Sequence, residues 1–221
     1  MSAAPSALRA AAVAPTDGVL GDDTVRGVLA EGLEGHHRGE SVLVLVPDHT
    51  RTAPLPLIVA TLNDVLGEAA AVHVLVALGT HPPLDDRSLA DLIGLDSIDP
   101  TDRHPGLTVG NHRWRDDGEL VTVGVVTRDE LAAIAGPLWH PSLGGDLPLR
   151  INRAVLEHDH VIIVGPTFPH EVVGFSGGAK YFFPGVSGPE MIDVSHWLGA
   201  LSGVVETIGR VDTPTRRLIE R

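Results

Sequence analysis

Three short and nearly continuous apolar runs constrain the fold of this chain more than any other feature. They occupy residues 42–46 (VLVLV), 72–78 (VHVLVAL) and 160–165 (HVIIVG). Runs of this length without polar alternation are typical of strands buried on both faces of a parallel sheet. Amphipathic segments at 22–34, 55–66 and 85–94 predict helices between and before them. The sequence therefore predicts an α/β fold, a mostly parallel, Rossmann-like sheet flanked by helices.

The remainder of the chain predicts smaller elements. Shorter strands are expected at 106–110 and 119–126, a loop over 136–148, and helices at 128–135, 152–158, 188–200 and from about Pro214. The chain ends at Arg221 inside this last helix, which predicts a fold that is incomplete at its carboxyl end. Residues 1–20 are rich in Ala, Ser and Pro and predict a poorly ordered tail, so the expected domain covers 21–221.

Charge and composition exclude several classes of function. The net charge of −13 disfavours contact with a phosphate backbone, so no nucleic-acid partner is expected. There is no cysteine, so a metal must be held by histidine, by carboxylates or inside a cofactor. No apolar run approaches the length of a membrane span, and the amino terminus lacks the pattern of a signal peptide. A cytoplasmic protein without a membrane partner is expected.

Chemically reactive side chains follow each of the three buried strands. In a parallel sheet, the loops after the strands meet at one edge, where ligands bind. The loops 47–56, 77–83 and 165–188 each contain a histidine. A single loop histidine is usually exposed or structural, but three successive strand ends favour a functional site. The residues expected at this edge are Asp48, His49, Arg51, His81, His170 and Lys180.

The third of these loops contains the only lysine of the chain. Ser176, Gly177 and Gly178 leave backbone N–H groups accessible to an anion, and Lys180 follows them. The string resembles a phosphate-binding P-loop, but it has Ala179 in place of the second glycine and Tyr181 in place of Ser or Thr. A P-loop nucleotide hydrolase is therefore a poorly matched alternative.

The other histidines do not form a recognisable metal motif. The pairs His36–His37 and His158–His160 adjoin polar residues and are expected on the surface, and no two histidines have helical ligand spacing. A zinc site built from protein ligands alone is therefore not expected. His196, within the helix at 188–200, could complete the coordination of a metal that arrives inside a cofactor.

Four strings of this sequence resemble a known family. DHTR at 48–51, GTH at 79–81, PHEVVGFSGGAK at 169–180 and His196 are similar in order and spacing to the amino-terminal domain of the lactate racemase family. The resemblance extends from about residue 20 to the end. It implies a nickel-pincer nucleotide cofactor, a pyridinium-3-thioamide-5-thiocarboxylate mononucleotide that carries Ni(II).

The resemblance implies a role for each motif residue. Lys180 would bind the cofactor covalently through a thioamide, and His196 would be the protein ligand of nickel, beside two sulfurs and one carbon of the cofactor. His81 and His170 would be the catalytic acid/base pair. The remaining cofactor contacts that it implies are Asp48, His49, Thr50, Arg51, Ser176, Gly177 and Gly178.

The implied reaction is the racemisation or epimerisation of a 2-hydroxy acid. One histidine would take the hydroxyl proton while hydride leaves the α-carbon, and hydride returned to the other face of the planar 2-keto acid would give the opposite enantiomer. Enzymes that make the cofactor would be partners. Members of the family have a further carboxyl-terminal domain that is lacking here, and Glu171 departs from their pattern. A non-catalytic or truncated nucleotide- or cofactor-binding module is therefore the alternative.

Overall fold

The computed structural model describes residues 8–221, so the first seven residues of the predicted tail lie outside the described part. Residues 8–20 form no helix or strand. The strands in chain order are β1 (Ser41–Val46), β2 (Ala71–Val76), β3 (Leu107–Asn111), β4 (Leu120–Val126), β5 (Leu147–Asn152), β6 (His160–Ile163), β7 (Pro169–His170) and β8 (Gly174–Phe175). The helices are α1 (Asp22–Leu33), α2 (Leu55–Val65), α3 (Asp86–Ile93), α4 (Arg128–Ala135), α5 (Ala154–Glu157), α6 (Pro189–Ser202), α7 (Val204–Thr207) and α8 (Pro214–Ile219).

A four-stranded sheet in the order β3-β2-β1-β6 forms the centre of the molecule. Each neighbouring pair of its strands is parallel. This architecture confirms the predicted α/β fold with a mostly parallel sheet flanked by helices. In β1, residues 42–46 are all fully buried, which is why this run contains no polar residue.

The two faces of β1 pack against different parts of the chain. Alternate residues Val42, Val44 and Val46 belong to a core that α2 and α3 complete. Leu43 and Leu45 point the other way and pack with Ile151 of β5 and with Tyr181 and Val186 from the segment after β6. The glycine-rich segment is therefore anchored on the sheet by its own apolar side chains, and Lys180 is held beside one of these anchors.

The middle of the chain differs from the sequence-based expectation. Strand β5 begins in the predicted loop 136–148 and ends at the first residue of the predicted helix 152–158. Within that predicted helix, only α5 is helical. It pairs antiparallel with β4, where Pro148 lies opposite Val125. Proline weakens the strand pattern in the sequence, but a two-stranded ribbon has free edges that tolerate its missing N–H.

Strand β6 also differs from the expectation. The run 160–165 predicts a strand buried on both faces, whereas all four residues of β6 are only half-buried. The reason is its position, because β6 forms one edge of the sheet and pairs only with β1.

Helix α7 was not expected from the sequence. Within residues 8–221, no helix combines the length and the apolar character that crossing a membrane requires.

Candidate functional site

A cleft of about 200 Å³ lies beyond the carboxyl ends of β1, β2 and β6. The loops after these three strands meet there, as the parallel topology predicts. Of the predicted site residues, the cleft is lined by Asp48, Thr50, Arg51, His81, His170, Ser176, Gly177, Lys180 and His196. His49 and Gly178 are exposed and are not among the lining residues.

Asp48 and His81 form a carboxylate–imidazole pair at the ends of β1 and β2. The buried carboxylate of Asp48 accepts a hydrogen bond from His81 Nδ1 through Oδ2, and its Oδ1 accepts one from the Thr50 N–H at 3.1 Å. Burial raises the pKa of Asp48, but the hydrogen bonds from Thr50 and His81 outweigh it, and the pKa lies below its usual value. An ionised carboxylate can only accept, so Nδ1 of His81 carries hydrogen and Nε2 offers a lone pair.

His170 is held in the opposite arrangement. It ends β7 opposite Gly174 of β8, and its Nδ1 accepts a hydrogen bond from the Val172 N–H at 3.1 Å. The neutral ring therefore carries its proton on Nε2. Burial lowers the pKa of His170 to about 4, and the positive charge of Lys180 adds to the shift, while Glu171 opposes it. The carboxylate of Glu171 lies 3.6 Å from the same Nδ1.

Lys180 lies in a short 3-10 turn, Gly178–Tyr181, that places its side chain in the cleft. Burial lowers the pKa of its amine to about 8, and the nearby guanidinium of Arg51 contributes by repulsion. A pKa of about 8 leaves roughly a tenth of the amine uncharged at pH 7, far more than for an exposed lysine. Lys180 is therefore prepared to act as a nucleophile.

The turn before Lys180 is fixed by Ser176. Its hydroxyl donates to the Pro166 carbonyl at 2.9 Å and accepts from the Phe168 N–H at 2.9 Å. Gly177 has a φ of +84°, and a Cβ there would lie 2.5 Å from Thr167 Oγ1, so no other residue fits without rearrangement. The following 3-10 turn is too short to provide the helix that a P-loop places after its lysine, so the geometry does not support that alternative.

His196 projects from α6 toward the same cleft. Its Nδ1 lies 2.7 Å from the carbonyl oxygen of Ile192, one turn earlier in the helix. A carbonyl can only accept, so Nδ1 carries hydrogen and Nε2 offers its lone pair to a metal. A histidine oriented through its other nitrogen in this way is typical of metal ligands in proteins.

Sequence reasoning missed several residues of the cleft. Glu171 was noted only as a departure from the family pattern, and Thr80 and Tyr181 were not among the expected site residues, although all three line the cleft. Burial raises the pKa of Tyr181 to about 12, so its hydroxyl stays protonated. Each of the three is next in sequence to a predicted site residue, His170, His81 or Lys180. This adjacency could have predicted them, because neighbours of site residues in a tight loop often line the same cavity.

Comparisons with known proteins identify similar sequences. Residues 29–136 and 142–207 match the family model described as the lactate racemase N-terminal domain. A lactate racemase from Lactiplantibacillus plantarum is 28% identical over 184 residues, which cover 81% of this chain and 36% of the relative. A second, from Thermoanaerobacterium thermosaccharolyticum, is 27% identical over 171 residues, 76% of this chain and 33% of the relative. This chain thus spans about a third of the length of these relatives.

Two solved structures share the fold. A crystal structure of a protein from Thermotoga maritima superposes with a TM-score of 0.80 at 28% identity, covering 91% of this chain and 47% of the other. The lactate racemase apoprotein from Thermoanaerobacterium thermosaccharolyticum gives a TM-score of 0.64 at 23% identity, covering 86% of this chain and 41% of the other. The second comparison supports the fold alone.

Proposed function

The chain belongs to the lactate racemase N-terminal domain family, and we propose that it is the cofactor-carrying domain of a racemase or epimerase that acts on a 2-hydroxy acid. The observation that carries the proposal is the composition of the cleft. Lys180, His196, His81 and His170 come from separate parts of the chain and line one cavity. Together they offer an amine nucleophile, a metal ligand and two proton-transfer groups.

The residues of the cleft fit the nickel-pincer nucleotide that the family resemblance implies. Lys180 would hold it through a thioamide, because its amine is partly uncharged at neutral pH. His196 would ligate nickel through Nε2, since Nδ1 is bonded to the Ile192 carbonyl. Arg51 and the backbone around Gly177 would hold the phosphate. When bound, the group supplies the acceptor and donor of hydride.

His81 is the base for the first half of the proposed reaction. Its Nε2 lone pair takes the hydroxyl proton of the substrate, and Asp48 stabilises the imidazolium that forms. His170 holds the oxygen of the same group through its Nε2–H.

The second enantiomer requires the two histidines to exchange roles. His170 then needs its proton on Nδ1, so that Nε2 can accept, and its hydrogen bond from the Val172 N–H must break. Glu171, whose carboxylate is 3.6 Å from this Nδ1, is the group available to accept that proton in a hydrogen bond. Glu171 would thereby serve His170 as Asp48 serves His81.

Covalent loading gives the direct test. The chain would be co-expressed with cofactor-making enzymes and its intact mass measured; we expect the added mass in the wild type and in His81→Ala and His170→Ala. Lys180→Arg should lack the added mass, because a guanidinium stays protonated and cannot be acylated under these conditions. Loading of Lys180→Arg, or loss of loading in both histidine variants, would contradict the assigned roles.

A non-catalytic cofactor-binding module is the second candidate. Its basis is that Lys180, His196 and Arg51, the residues assigned to cofactor binding, all line the cleft of this chain and would hold the cofactor whether or not a substrate is turned over. The loaded chain alone would be mixed with one enantiomer of lactate, and in separate reactions with one enantiomer of other short 2-hydroxy acids. The optical rotation of each reaction would be followed over time. Racemisation by the chain alone would eliminate the module, whereas a loaded chain that leaves every substrate unchanged would support it.

A further inference from the structure

A second cluster of potential ligands lies at the opposite end of the sheet from the cleft. His37 and Glu40 belong to the connection between α1 and β1, and His160 is the first residue of β6. Because β6 pairs in parallel with β1, with His160 opposite Val42, the fold brings these three residues together. One ligand atom from each lies within 4.8 Å of the other two.

The cluster contains an imidazole whose polar atoms are unsatisfied. His160 Nε2 lies 2.5 Å from Glu40 Oε2, and the rings of His37 and His160 are in edge-to-face contact with centroids 4.6 Å apart. Both ring nitrogens of His37 are shielded from solvent and have no hydrogen-bond partner within residues 8–221. Shielded polar atoms without a partner are uncommon because they lose their contacts with water and gain none in return.

We propose that His37, Glu40 and His160 form a binding site for a divalent transition-metal ion of the zinc type. Two imidazole nitrogens and one carboxylate oxygen form a donor set that Zn²⁺ accepts, with water in the fourth position. Ligand atoms around tetrahedral zinc are about 3.3 Å apart, given Zn–N and Zn–O distances of about 2.0–2.2 Å. Separations of up to 4.8 Å would have to close by about 1.5 Å or less, and the 2.5 Å between His160 Nε2 and Glu40 Oε2 would have to open by about 0.8 Å; side-chain rotations are sufficient for both.

Charges of both signs lie near the cluster. Asp159, which precedes His160, holds its carboxylate 2.8 Å from the Ser41 backbone nitrogen, and Arg9 places a positive charge near His37. An ion bound here would replace the His160–Glu40 hydrogen bond and give one nitrogen of His37 a partner. It would also tie the segment before the central strand to an edge strand, so that binding stabilises the folded sheet.

Zinc-dependent unfolding of the tag-free chain tests the site. ZnCl₂ would be titrated into the chain in urea, with the unfolding midpoint as the readout. When free Zn²⁺ exceeds its Kd by 100-fold, the unfolding equilibrium constant should fall about 100-fold. His37→Ala and His160→Ala should lose this effect and bind one equivalent of zinc fewer than the wild type by calorimetry.

Two further variants make the result specific. His36→Ala removes an exposed imidazole next to the cluster and should retain the full zinc effect. Glu40→Gln keeps the shape of the side chain and removes the anionic oxygen, so it should lose most of the effect even if the histidine variants fold poorly. No zinc stabilisation of the wild type, or equal stabilisation of the wild type, His37→Ala and Glu40→Gln, would overturn the proposal. The cleft histidines are unchanged in every variant, so zinc bound there cannot produce the expected difference.

Discussion

Acid destabilisation of the fold should depend strongly on His170. The folded-state pKa of about 4 lies below the ordinary value of 6.5, so between these values the unfolded chain binds more protons than the folded one. The stability associated with neutral His170 is complete above about pH 6.5 and is lost as the pH falls toward 4. From pH 7.5 to 4.5, proton linkage with these two values gives a loss of roughly 2–3 kcal/mol.

Urea unfolding at the two pH values measures this loss. The wild type and His170→Gln would be compared by circular dichroism, and the fall in the free energy of unfolding between pH 7.5 and 4.5 should be roughly 2–3 kcal/mol larger in the wild type. Titrating groups that do not interact with His170 are common to both proteins and cancel in the difference, whereas Glu171, whose pKa the charge of His170 lowers, does not. Parallel pH dependences would refute the reasoning, because they would mean that His170 titrates alike in the folded and unfolded states.

The charge of Lys180 can be separated from burial in the same experiment. Lys180→Met removes the cation that contributes to the low pKa of His170 but leaves that ring buried. The pKa of His170 should then rise, and the acid-dependent loss of stability should lie between those of the wild type and His170→Gln. A loss as large as that of the wild type would show that the charge of Lys180 does not contribute to the low pKa of this histidine.

Three further substitutions have defined outcomes. Lys180→Met should raise the urea midpoint at pH 7, because the folded state no longer holds a charged amine whose pKa is lowered to about 8 by burial. Asp48→Asn should leave the fold intact but lower the turnover of the loaded enzyme by about 10³-fold or more, and ¹⁵N NMR should show the proton of His81 moved to Nε2. Gly174→Ala should cost about 2–4 kcal/mol in urea, because its φ is +88° and the new Cβ would lie 1.9 Å from the Arg210 carbonyl oxygen.

The sequence predicts the elements that depend on local pattern. The apolar runs identify β1 and β2 to within about two residues, because strands buried on both faces leave no alternative pattern. The loops after the strands likewise predict most of the cleft, because parallel strands bring their carboxyl ends together. Strand β5 was missed because its pairing with β4 is a tertiary contact, and its Pro148 reads locally as a break.

Side-chain partners could not be read from the sequence. The pairing of Asp48 with His81 joins residues 33 positions apart, and that of Glu40 with His160 joins residues 120 positions apart. No local spacing encodes such contacts; they arise from strand order and register. For the same reason the sequence placed His37 and His160 on the surface as separate pairs, whereas the register of β1 and β6 brings them into one cluster.

The two cleft histidines differ in their partners and in their exposure to the charge of Lys180, and this difference bears on the proposed function. His81 is paired with a carboxylate and offers Nε2 as a base, whereas His170 is neutral, with its pKa near 4 partly because Lys180 is positively charged. Conversion of the Lys180 amine to a thioamide would remove that charge. Lys180 would then no longer repel the protonated ring, while burial, the largest cause of the low pKa of His170, and the attraction of Glu171 would remain. On the proposed function, attachment through Lys180 would therefore replace the lysine charge beside His170 with the charges of the cofactor itself.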